Sequence, residues 1–153
     1  MDAVAIVNDA WKPYEGGIRA TLEKLARLPL PEETEFLWFV LQCFDLRSIP
    51  IIVWPTDRYQ QQQSGWENER DLMECVPESV ELPDELTENP ENMDLFRDAC
   101  AFILTRLWQS IDPMPDRLAY FSMDVDGWFF SLRDGRKISA WDIESEITRL
   151  VSP

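Results

Sequence analysis

The sequence predicts an α+β domain in which a mostly antiparallel sheet, closed by a C-terminal meander, packs against several helices. Three observations carry this. Apolar residues recur at helical spacing near both ends and in 92–108, strand-like runs meet at Asp126-Gly127 and Asp134-Gly135, and the two kinds of element segregate along the chain. A length of 153 residues fits one domain, 1–153, large enough to bury roughly two-thirds of the surface that the unfolded chain exposes.

Residues 2–11 place Val4, Val7 and Trp11 on one helical face, and "GGIRATLEKLARLP" repeats the pattern with Ile18, Leu22 and Leu25 after a Gly16-Gly17 break. Residues 36–44 read both ways. Pro31, Glu32 and Glu33 resemble a helix start, whereas Phe36, Trp38, Phe39, Val40 and Phe44 favour a strand, the reading adopted here. Ile49–Trp54 is a β-branched strand bounded by Pro55, and Pro50 places it at an edge or at its own beginning.

Pro77, Pro83 and Pro90 divide an acidic segment, residues 67–92, into a loop with short helical turns. The strongest helix follows, capped by Asn92 or Asp94, with Phe96, Cys100, Ile103, Leu104, Leu107 and Trp108 facing inward. Three strands then form the meander, their Asp-Gly turns relying on the positive φ open to glycine. A last helix in "SAWDIESEITRLV" is expected to be capped by Ser139 and to bury Trp141, Ile143, Ile147 and Leu150.

The net charge of −15, from 29 acidic and 14 basic residues with no His, repels nucleic acid and anionic membrane and favours a basic protein partner. Residues 67–98 hold twelve carboxylates and two basic residues, a balance of −10, so a fifth of the chain carries two-thirds of the net charge. Solubility alone would spread that charge evenly. The candidate partner-binding surface is therefore Trp66, Glu67, Glu69, Asp71, Glu74, Glu78, Glu81, Asp84, Glu85 and Glu88, in which Trp66, Met73 and the scattered leucines supply an apolar anchor within a negative field. Trp128 is a second candidate aromatic, although a strand position favours packing into the core.

Catalysis is not expected. Without His there is no Ser-His or Cys-His nucleophile pair, and glycines 16, 17, 65, 127 and 135 form no phosphate-binding loop. Asp124 and Asp126 share a strand face and would suit a divalent cation, but the preferred reading makes Asp126 the turn residue beside Gly127 with Asp124 flanking it on the solvent side, and Gly135 falls where a calcium loop needs its bidentate Glu. Cys43, Cys75 and Cys100 lack CxxC spacing, so neither a disulfide framework nor a zinc site is expected; buried thiols are, with Cys75 exposed. No metal or other cofactor is anticipated. The N-terminus lacks a basic region before an apolar run, and no stretch reaches membrane-spanning length, so the expected compartment is the cytoplasm.

In size, acidity and order of elements, with "ENERDLMECVPESVELPDELTENPEN" as a partner-facing loop and "YFSMDVDGWFFSLRDGRKIS" as a scaffold hairpin, the chain resembles the small immunity proteins that bacteria encode beside polymorphic toxins. The resemblance spans the whole chain without a signature motif, and no residue is carried over. It implies a non-catalytic protein that binds one toxin domain and occludes its basic surface. An acidic adaptor, a chaperone, a nucleic-acid mimic or a carboxylate-dependent hydrolase are the alternatives.

Overall fold

The computed structural model describes residues 2–41, 51–58, 61–62, 66, 82–87, 89–123 and 127–151. Helix α1 (Ala3–Trp11) passes through a 3₁₀ turn (Lys12–Tyr14) into α2 (Glu15–Arg27), followed by β1 (Phe36–Leu41), β2 (Ile51–Arg58) and β3 (Gln61–Gln62). A short α3 (Asp84–Thr87) and a 3₁₀ turn (Pro90–Asn92) lead into α4 (Met93–Gln109), and β4 (Ala119–Met123), β5 (Trp128–Ser131), β6 (Lys137–Ser139) and α5 (Ile143–Val151) complete the order.

The sheet runs β3-β2-β1-β4-β5-β6. Neighbours are antiparallel except β1 and β4, which are parallel and join the β1–β2 hairpin to the C-terminal meander. Side chains alternate between two covered faces. Leu37, Phe39, Leu41, Val53, Phe121 and Phe130 meet the buried faces of α1, α2 and α4 in the main core. Phe36, Tyr120, Phe129 and Ile138 turn the other way and are closed by Ile143 and Ile147 of α5. β1 is thus a central strand buried on both sides, which gives the continuous apolar run that made 36–44 legible as either helix or strand. Its strand assignment holds for 36–41; residues 42–44 lie outside the described residues, as does Pro50.

Three boundaries differ from expectation. Gly16 and Gly17 lie in the first turn of α2 instead of separating two helices, and the change of direction falls at the 3₁₀ turn that contains Pro13. Proline fits there because the first N–H groups of a helical segment have no partner within it. Pro55 does not end β2. It opposes Leu37, whose N–H donates to Leu118 O at 2.9 Å on the β4 side. Directly opposed antiparallel residues turn their backbone groups together or apart. The missing N–H of Pro55 therefore faces away from β1 and removes no bond from that ladder.

The third difference is at the C-terminus. α5 begins at Ile143, and Ser139 belongs to β6, its hydroxyl 3.0 Å from Asp142 Oδ2. Ile143 and Ile147 are buried as expected, but Trp141 precedes the helix and is 92% exposed, and Leu150 is also exposed. Glu146 takes an inward position instead. Its carboxylate pairs with Arg136, lies 3.8 Å from Arg149 and accepts a 3.4 Å bond from the Tyr120 hydroxyl. Val4, expected inward, is likewise exposed, and Ala3, Val7 and Trp11 form the buried stripe of α1. At the end of α2, Arg117 donates to Leu25 O at 2.6 Å and Leu28 O at 2.7 Å. This satisfies terminal carbonyls and ties the helix to the approach of β4.

Burial raises the Tyr120 hydroxyl above its ordinary pKa of 10.0, an effect that the nearby Arg133 and Arg136 charges partly offset. The folded state therefore keeps a proton that the unfolded chain releases. Stability from this group is complete below about pH 10 and declines as pH rises through that value toward the folded pKa. Urea unfolding of Tyr120→Phe between pH 8 and 11 is expected to show a shallower alkaline decline than the parent; identical slopes would refute this account.

The meander turns use their glycines differently. Gly135 adopts φ +75° and its N–H donates to Ser131 O at 2.7 Å, while Asp134 Oδ1 accepts from Arg136 N at 2.9 Å. Gly127 has no positive φ, contrary to the expectation for Asp126-Gly127. A Cβ at Gly135 would meet only an ordinary 3.6 Å contact with Thr105, and one at Gly127 nothing within 4 Å. Gly135→Ala is therefore expected to cost about 1–2 kcal/mol through left-handed backbone strain. Gly127→Ala should lie within about 1 kcal/mol of the parent and can be stabilising. Chemical-denaturation midpoints of the two variants test the contrast.

Candidate functional site

Of the acidic surface read from the sequence, Trp66, Asp84 and Glu85 fall among the described residues; Glu67, Glu69, Asp71, Glu74, Glu78, Glu81 and Glu88 lie outside them. Asp84 and Glu85 are exposed on α3. Leu82 and Leu86 are buried, at 7% and 0% exposure, and join the main core, against which Trp66 also packs. These apolar residues hold the segment to its own domain. The expectation that the leucines form part of a partner-facing anchor is corrected at Leu82 and Leu86. On α3, Leu86 turns into the core while Asp84 and Glu85, which precede it, stay exposed.

Asp124 and Asp126 are outside the described residues. Among the described residues no three His, Cys, Asp or Glu side chains converge to hold a cation. Cys100 is a buried cysteine of α4, as its helical position implied, and Cys43 and Cys75 are not described. Trp128, expected in the core, is 40% exposed. Lys137 Nζ lies 4.6 Å from its ring centroid, so this edge of the meander is a cation on an aromatic face.

The exposed apolar surface that sequence reasoning missed lies on α4. Leu95 and Phe102 are seven residues apart, two helical turns, and project opposite to the buried stripe at 43% and 55% exposure; Val4 of α1 lies beside them at 36%. Phe102 divides two hollows. One, of about 490 Å³, is bounded by Asp98, Ala101, Thr105, Gln109, Phe130 and Asp134. The other, open and about 680 Å³, is bounded by Asp2, Val4, Leu95, Asp98 and Ala99. The signal was present in the sequence: Leu95 and Phe102 fall outside the arc of Phe96, Cys100, Ile103, Leu104 and Leu107.

Beneath this face, Arg97 is 2% exposed. Its Nε and Nη2 reach Asp98 Oδ1 at 2.9 and 2.8 Å, and Nη1 reaches Asp94 Oδ1 at 3.2 Å. The guanidinium carbon lies 5.5 Å from the Phe130 ring centroid, tying α4 to β5. Among the described residues no helix is long and apolar enough to cross a membrane. No protein-family model, curated protein or solved structure matches the chain.

Proposed function

We propose that this chain is a non-catalytic binding protein, an immunity protein that captures a cognate bacterial toxin or effector domain and occludes its basic surface. The carrying observation is the concentration of charge, −10 of the net −15 within residues 67–98. A field of that size raises the encounter rate with a cationic protein and repels polyanions. The exposed Asp84 and Glu85, held outward by buried Leu82 and Leu86, support the segment as an outward-facing surface. The choice of a toxin as partner rests on the resemblance in size, acidity and element order, and it places the protein in the cytoplasm, where such a toxin would act.

The test is affinity capture from the native host, followed by an assay of the captured protein's activity with and without this chain. A basic partner whose activity falls at equimolar ratio supports the reading. An acidic partner would overturn charge-led capture, and a basic partner that stays active would move the chain to the adaptor or chaperone class.

A further inference from the structure

We propose that the outer face of α4 is a docking surface for an extended basic segment of a partner protein, which straddles Phe102 and directs a lysine or arginine between Asp98 and Asp134. The site lies on α4 beyond the proline-divided segment 67–92, shares only Leu95 and Asp98 with the charged run 67–98, and does not depend on the partner being a toxin. α4 completes its own packing with Phe96, Cys100, Ile103, Leu104, Leu107 and Trp108, all buried. Phe102, with more than half its surface in water, contributes little to that core. An aromatic ridge between two hollows is instead the shape that lets neighbouring side chains of an extended chain descend on either side.

Two polar features identify what descends. Thr105 is 8% exposed and lines the first hollow, yet its hydroxyl oxygen has no hydrogen-bond partner among the described residues. A buried acceptor without a donor is unfavourable until one arrives. Asp98 uses Oδ1 for both bonds to Arg97, and Asp134 uses Oδ1 for the turn N–H while its Oδ2 lies 4.0 Å from Arg136 Nε, longer than a hydrogen bond; each carboxylate is about half exposed and retains acceptor capacity. Arg106, which also lines this hollow, bonds Asn8 at 3.0 Å and lies 3.8 Å from Glu15 toward α1 and α2. An incoming ammonium or guanidinium meets acceptors on both sides, with the Phe102 face available for a cation–π contact.

The probe is a random peptide library displayed on phage and selected on the full chain, with enriched peptides titrated by fluorescence and mapped by NMR shifts. Enriched peptides are expected to carry Lys or Arg beside a leucine or aromatic residue and to shift resonances of α4 and the Asp134-Gly135 turn. Phe102→Ser should weaken them by about tenfold or more, and Asp134→Asn, which preserves the turn acceptor, by several-fold at low salt. If Phe102→Ser lowers the melting temperature, Leu95→Ser and Asp134→Asn decide the matter. Absence of enrichment, enrichment of neutral or acidic peptides, or unchanged binding to these variants would overturn the proposal without bearing on capture through the acidic segment.

Discussion

Replacing both Asp94 and Asp98 with alanine is expected to lower the folding free energy by about 1.5–3 kcal/mol, the loss of charge-assisted hydrogen bonds to a buried cation, whereas Arg97→Met should stay within about 1.5 kcal/mol of the parent. The asymmetry follows from who is buried. The Arg97 side chain is 2% exposed, while Asp94 and Asp98 are 76% and 49% exposed. Removing the arginine returns two carboxylates to water that already reaches them, and methionine fills the same channel with a flexible apolar chain. Removing the carboxylates takes two charge-assisted partners from a buried cation, with its remaining interactions and the Phe130 face 5.5 Å away as partial compensation. Asp94 also sits in the first turn of α4, where its loss costs a further 0.3–1 kcal/mol or so; the single Asp94→Ala variant measures that part. Urea unfolding with an unchanged denaturant slope is the readout. Equal costs for the double variant and Arg97→Met would mean that these two carboxylates contribute little beyond what the guanidinium regains from water and its other contacts.

The α+β class was legible because it rests on strong local signals. The Asp134-Gly135 turn, the six inward residues of α4 and the β-branched start of β2 each specify their element without help from the rest of the chain. What failed depended on distant partners. No local rule says that Pro55 faces away from β1; that follows from Leu37 bonding to Leu118, eighty-one residues later in the sequence. Trp141 was read as part of a helix that starts two residues beyond it, and Glu146 was overlooked because its burial requires Arg136 and Arg149 at its side. The parallel pairing of β1 with β4 is equally non-local. For the site, charge was visible and shape was not: leucines inside the acidic segment looked like a partner's anchor until Leu82 and Leu86 proved to belong to the main core. The exposed ridge at Phe102 lay in a helix read only for its inward face.

Changing Glu67, Glu69, Asp71 and Glu74 together to lysine is expected to slow association with the captured basic partner by about 10- to 1000-fold at low salt. The substitution moves the net charge by eight units, from −15 to −7, within the most acidic fifth of the chain. The Debye length shrinks to about 8 Å at physiological ionic strength, so the loss should be smaller in high salt. A matched quartet at Glu78, Glu81, Asp84 and Glu85 moves the charge by the same amount on backbone interrupted by Pro77, Pro83 and Pro90. Long-range steering responds to charge more than to its local mounting, so both quartets should slow association comparably. Dissociation responds to contacts. The first quartet lies in the proline-free stretch at spacings of two to four residues, next to Trp66, which the main core holds in place. It is therefore expected to accelerate dissociation as well and to weaken binding more than the second. Stopped-flow association and dissociation at two salt concentrations separate the two effects. Association rates indifferent to both quartets would show that the acidic segment does not face the partner, and the surface around Phe102 would then be the first place to look for recognition.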